Sequence, residues 1–187
     1  IPAWLICRNR AVRILIGSRT ERQARQYTGR LRRTLERATP VFGEPELVEK
    51  GAANDADATL AADYGTFRPS IRELWRLEEF IVAQVDDQLL EDKEPTVSAF
   101  GMDSGFLGGR YDYVIWDDLV DKTTMRTTDA REEQRRWWDD EATSRVEPGG
   151  ICVLQGQRMG PDDLYHHALT QVDVDDEGDP TGEAMYH

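Results

Sequence analysis

Cysteine is scarce. Cys7 and Cys152 are the only two in 187 residues, they lie far apart, and each sits among apolar neighbours. That pattern excludes a disulfide framework and a cysteine-based metal site, and it points to buried, reduced thiols of a cytosolic protein. Long apolar runs are lacking too: none approaches the roughly 20 residues a membrane-spanning helix needs. No signal-peptide pattern opens the chain and no internal repeat is visible. The pattern G-x-x-x-x-G-K-[ST], a loop that cradles phosphates with backbone N–H groups and a lysine, is absent from Ile1–His187. The first residue is Ile1 rather than Met, inside an apolar stretch, so the sequence reads as part of something longer.

What is present fits one soluble globular domain. A 39% hydrophobic and 32% charged composition supports a sizeable core in a chain of this length. The net charge of −13 argues against a surface that binds nucleic acid all over. The charge is uneven, however. Residues 8–37 carry Arg8, Arg10, Arg13, Arg19, Arg22, Arg25, Arg30, Arg32, Arg33 and Arg37 against only Glu21 and Glu36. Most of these are expected on a solvated helix face, which leaves room for a local basic surface that touches phosphates. Near the end the balance reverses, with Asp173, Asp175, Asp176, Glu177 and Asp179 in an expected turn.

Residues 113–118, Tyr-Val-Ile-Trp-Asp-Asp, organise the rest. An unalternating apolar run suits a strand buried on both faces of a parallel sheet. Paired acids just past it fall at the carboxyl end, where open α/β sheets place their ligands. Carboxylates are hard ligands suited to Mg²⁺, the ion that accompanies nucleotide phosphates. The stretch therefore reads as a Walker B strand, in which one acid holds the metal and the next addresses the attacking water. The alternative is a core strand followed by a solvated turn.

Around it the pattern predicts a helix tail over residues 1–7, a buried strand over 12–17, and a helix capped by Thr20 with Ala24, Tyr27, Leu31 and Leu35 on one face. Residues 38–70 are broken by proline and glycine and read as a surface excursion with a short helix near Leu60. Residues 75 and 78–83 read as a turn of helix or extended chain running into a strand, and a strand is expected over 95–101, the two separated by an acidic turn over 86–93. Gly105, Gly108 and Gly109 form a flexible loop before the central strand. Asp129 with Glu132 fits a capping box, opening a helix whose Trp137 and Trp138 are expected to pack rather than stack on bases. Pro148-Gly149-Gly150 reads as a turn into a strand over 151–155. Pro161 is expected at the first position of a short helix, and 183–187 to begin another strand. The order predicts an α/β fold with a mostly parallel sheet flanked by helices.

These residues resemble one family from Val12 to Leu169, with their parts in the family's order: the large terminase subunit of tailed bacteriophages, the DNA-packaging motor. The resemblance rests on Gly109-Arg110 and Asp112 before the acidic pair, the capped helix after it, and Gly156, Arg158 and Asp162-Asp163-Leu164 after the next strand. It implies a P-loop NTPase fold of the additional-strand type, here a partial ATPase domain. The Walker A loop would lie upstream of Ile1 and a nuclease domain downstream of His187. It implies ATP and Mg²⁺ as cofactors, with Asp117 holding the metal and Asp118 standing where the catalytic carboxylate stands. Gln157 and Arg158 would sense the γ-phosphate and couple hydrolysis to movement, although members often carry Thr-Arg-Trp-His where this chain has Gln157-Arg158-Met159-Gly160. Arg110 would be an arginine finger offered to a neighbouring subunit. The implied partners are double-stranded DNA, the portal protein and the small terminase subunit, in a homo-oligomeric ring in the host cytoplasm, with no membrane. Taken alone, the piece is expected to bind ATP poorly and hydrolyse it negligibly. The competing readings are a helicase-like translocase of the same ATPase class, an inactive scaffold or docking module that keeps the fold, and a metal nuclease using Asp117 and Asp118.

Overall fold

The computed structural model describes residues 1–37, 59–69, 75–84, 94–104, 108–174 and 180–184. Its centre is a five-stranded sheet. The strands are β1 (Ile14–Ser18), β2 (Glu79–Phe80), β3 (Val97–Gly101), β4 (Tyr111–Asp117) and β5 (Val146–Gln155), in spatial order β2-β3-β1-β4-β5. β1 runs parallel to β3 and β4, and β4 parallel to β5; only β2 is antiparallel. The helices are α1 (Pro2–Arg8), α2 (Glu21–Glu36), α3 (Leu60–Tyr64), α4 (Thr128–Trp137) and α5 (Leu164–Thr170). A small antiparallel pair, β6 (Val172–Val174) and β7 (Pro180–Ala184), closes the chain. This is the α/β sandwich with a mostly parallel sheet that the pattern predicts.

Every residue of β1 and β3 is buried, as strands covered on both faces require. Alternate side chains then feed two separate cores. On one face Leu15, Val114 and Trp116 meet Leu119, Trp138, Leu164 and Tyr165. On the other Ile14, Ile16 and Val97 meet Leu5, Ile6, Leu35 and Phe67. Gly17 makes the first core possible: a Cβ there would overlap the Trp116 ring. Trp116 is fully buried, edge-on to Trp137 at 5.1 Å and to Phe100 at 5.9 Å, so truncating it to alanine costs about 3–5 kcal/mol.

α2 starts where expected, with the Thr20 hydroxyl accepting from the Gln23 N–H at 3.3 Å. It buries Ala24 and Leu35, with Tyr27 and Leu31 packed partly against the core. The arginines of 8–37 do more than cover a solvated face. The Arg10 guanidinium binds the carbonyls of Thr66 and Ala83 at 2.7 Å each and lies over Phe67. Arg13 bonds Asp112 at 2.9 Å, with Glu94 and Glu147 at 3.4 and 3.5 Å. Arg32 reaches the Trp75 carbonyl at 3.2 Å.

Some boundaries differ from the sequence expectation. In β4, Val114 and Trp116 are fully buried, whereas Tyr113 and Ile115 are only partly covered, because α1 and α2 leave a cleft on their face. Thr127 rather than Asp129 caps α4, its hydroxyl accepting from the Ala130 N–H at 3.1 Å. Asp129 lies instead in the first turn, where its charge suits the helix dipole. α4 continues through a π-turn over Trp138–Ala142. Pro148-Gly149-Gly150 lies inside β5: the residues between Val146 and Ile151 bulge against Tyr111 to Tyr113 of β4, with Gly149 at φ 80°. α5 begins at Leu164, capped by Asp163, not at Pro161. The expected short helix near Leu60 is present as α3, whereas the last strand, β7, starts at Pro180, earlier than the expected 183, and residues 185–187 lie outside the described residues. The acidic turn over 86–93, most of the 38–70 excursion and Gly105 lie outside the described residues.

Candidate functional site

Parallel pairing brings the carboxyl ends of β1, β4 and β5 level. Ser18 lies beside Asp117, and Asp117 beside Gln155. Register partners on parallel strands point to the same face, so these three side chains share the α1 and α2 side of the sheet. The Gln155 side-chain N–H donates to Asp117 Oδ1 at 2.6 Å. From α2, the Tyr27 phenol lines the same cleft as this carboxylate. The neighbouring Asp117 carboxylate, then burial and the charge of Asp118, push the Tyr27 pKa up. Ser18 is fully buried, and its hydroxyl has no hydrogen-bond partner among the described residues. An unsatisfied buried hydroxyl costs about 1–3 kcal/mol, and this one lies in register with the Asp117 carboxylate.

Asp118 adopts φ 55°, and no other described residue except glycine has a positive φ. Aspartate tolerates this left-handed conformation better than most residues. It turns the chain off the end of β4 and leaves the Asp118 side chain exposed. The turn is pinned from several sides. The Asp118 N–H donates to the Gln155 carbonyl at 3.0 Å. The Tyr165 hydroxyl donates to that same carbonyl at 3.2 Å. Burial drives the Tyr165 pKa up to about 12, aided by the charges of Asp118 and Asp117 and opposed by the N–H groups of Leu119 and Val120, which face the phenol oxygen. The Gln134 side chain donates to the Leu119 carbonyl at 2.8 Å. Beyond the turn, Arg19 binds Asp121 at 2.9 Å and ties the exit of β1 to the exit of β4.

Beside this tip a cleft of about 420 Å³ opens on the α1 and α2 face. Ile16, Ile115, Val153, Leu31 and the first residues of α1 form its apolar wall, and Asp117, Gln155 and Tyr27 form its polar end. Among the described residues no cluster of three or more His, Cys, Asp or Glu could hold a metal by itself. The donors at the tip nevertheless fit Mg²⁺, which takes one or two carboxylates and completes its octahedron with water and phosphate oxygens. Asp117, which lines the cleft, is the carboxylate such an ion would use, and Ser18 is its register neighbour on β1.

Of the residues singled out in the sequence, Asp117 and Asp118 therefore meet at one tip. Gln157 and Arg158 follow β5 closely but are exposed; Arg158 Nε lies 3.7 Å from Asp163 Oδ1, and its Nη2 donates to the Gly160 carbonyl at 3.4 Å. Arg110 precedes β4, at the opposite end of the strand. At about 3.3 Å per residue it stands roughly 20 Å from Asp117, too far to reach that carboxylate within one chain. Ser18, Tyr27, Gln155 and Tyr165 are site residues the sequence reading missed. For Gln155 a signal existed, a polar residue ending the apolar run 151–154. Tyr27 and Tyr165 look like ordinary core positions in the pattern. No protein-family model matches this sequence, and no curated protein is significantly similar to it.

Proposed function

We propose that this chain is part of an ATP-hydrolysing motor of the terminase large-subunit type, which drives double-stranded viral DNA into a procapsid. The observation that carries the reading is the level register of Ser18, Asp117 and Gln155 at the carboxyl edge of three parallel strands, with an acid pair at the tip of the central one. In this reading the sheet is of the P-loop NTPase type, with the phosphate-cradling loop preceding Ile1 and the nuclease domain following His187. Asp117 and the Ser18 hydroxyl would hold Mg²⁺, which when bound would neutralise charge on the phosphates. Gln155 and Tyr27 orient the Asp117 carboxylate. Asp118, left exposed by its left-handed turn, orients the attacking water and accepts its proton. Arg110 reaches the nucleotide of a neighbouring subunit, and Gln157 and Arg158 relay the nucleotide state along the loop towards α5.

A polyanionic partner is supported by the outward face of α2, where Arg25, Arg30 and Arg33 line a groove of about 470 Å³ with Gln26 and Leu77. Portal and small-subunit contacts and a ring assembly belong to the same reading. The test uses the full-length protein that carries this chain. Asp118→Asn is expected to bind ATP as the parent does and to lose hydrolysis and packaging. Parental packaging rates in that variant would remove the role given to Asp118. Arg158→Ala is expected to fold normally and to hydrolyse ATP without moving DNA.

A further inference from the structure

The Asp118 turn is the one left-handed non-glycine conformation among the described residues, and side chains from two distant helices reach its surroundings: Gln134 of α4 at the Leu119 carbonyl and Tyr165 of α5 at the carbonyl that accepts the Asp118 N–H. Tyr165 of α5 sends its hydroxyl into the gap between the ends of β4 and β5. There it donates to the Gln155 carbonyl, the same oxygen that accepts the Asp118 N–H, while the Leu119 and Val120 N–H groups of the turn after β4 lie near it. Gly156 leaves room for this contact, because a Cβ at that position would overlap the phenol oxygen. α5 is in turn tied to the loop after β5: its N-cap Asp163 accepts from the N–H groups of Met159 and Gly160 at 2.7 and 3.2 Å. The chain 155–165 is thus a closed loop with Tyr165 and Gln155 at its two ends, fastened to the backbone of the acidic turn.

We propose that Tyr165 is a positioning residue whose hydroxyl fixes the left-handed turn at Asp118, so that the loop 156–163 and the Asp118 carboxylate move as one body. The catalytic half of this inference rests on the ATPase reading of the tip; the structural half does not. Removing the hydroxyl keeps the ring in the core but takes the oxygen away from the buried N–H groups of Leu119 and Val120, which then have reason to seek water or another carbonyl. A small displacement of a group that orients water lowers turnover far more than it lowers binding.

The test pairs Tyr165→Phe with Gly156→Ala, which expels the hydroxyl from the opposite side and keeps the tyrosine. Amide hydrogen exchange of this chain is measured residue by residue. Both variants are expected to exchange at Asp118, Leu119 and Val120 at least about tenfold faster than the parent, while the middle of β4 stays protected. In the full-length protein Tyr165→Phe is expected to lower kcat for ATP hydrolysis by about tenfold or more with KM within about twofold. Unchanged exchange at these three amides overturns the proposal. So does faster exchange with an unaltered kcat, which would make the contact purely structural. A parent protein that turns over no ATP would instead overturn the ATPase reading, with the exchange result still deciding whether Tyr165 holds the turn.

Discussion

Replacing Asp163 with alanine removes a carboxylate that is fully buried and fully engaged. It caps α5 through the His166 N–H at 2.9 Å and holds the preceding loop through Met159 and Gly160. Losing an aspartate N-cap costs about 1 kcal/mol. Each of the two loop N–H groups also loses a charge-assisted bond, worth about 1.5–3 kcal/mol when buried. This loop is partly open to water, so about 1 kcal/mol per bond is the appropriate share, and the total is about 3 kcal/mol. With a urea m-value of about 2 kcal/mol/M, the unfolding midpoint falls by about 1.5 M. Asparagine keeps one acceptor oxygen and can serve the cap or the loop but not both, so Asp163→Asn is expected to cost about half as much. The carboxylate also carries a pH signature. Burial by itself would raise its pKa, but the three backbone N–H groups and the Arg158 charge outweigh that and hold it below the usual carboxylate value. Its contribution is therefore complete above about pH 4, the unfolded value, and is lost as pH falls through the lower folded value. The gap between parent and Asp163→Ala should be constant from pH 7 to 5 and close only in stronger acid. A variant within about 0.5 kcal/mol of the parent at pH 7 would refute this account of the Asp-Asp-Leu segment.

Gly17→Ala drives a methyl into the Trp116 ring and is expected to destabilise by about 1–3 kcal/mol or more in the same urea assay; near-parental stability would mean the ring can move aside. Burial pushes the Cys152 thiol up to about 11 and raises that of Cys7 as well, so both should react with iodoacetamide at pH 8 much more slowly than free cysteine. Asp112→Ala leaves Arg13 without its main partner and the Arg13 N–H without its 2.8 Å acceptor. It is expected to cost about 1–2 kcal/mol, little relieved by salt because the pair is partly shielded from solvent.

The strand and helix order was legible because periodicity reports which faces are apolar. The run 113–116 reads as a strand because it is apolar throughout, although only Val114 and Trp116 are fully covered, and the Thr20 cap and the α2 stripe follow local rules. Boundaries set by competition between neighbouring side chains were not legible. Thr127 and Asp129 both suit a cap, and only the path of the chain after the acidic turn gives the role to Thr127. The bulge in β5 is invisible locally, because Pro148-Gly149-Gly150 reads as a turn until β4 offers it a partner. At the site, the acid pair announced itself by position. Its fasteners did not: Gln155 reaches Asp117 through strand register, and Tyr165 reaches the turn through the docking of α5. Both contacts depend on tertiary geometry that no short window of sequence encodes.

Trp116 is joined by one peptide bond to Asp117, and with Trp137 and the buried Trp138 it forms an indole cluster directly beneath the acidic tip. Trp4 and Trp75 belong to the opposite side of the sheet, where Trp4 is exposed and Trp75 donates to Glu36. The molecule thus carries its own optical gauge. A cation that binds Asp117 is expected to pull on the backbone next to Trp116, and the emission of the Trp116 and Trp137 pair to shift without any label being attached.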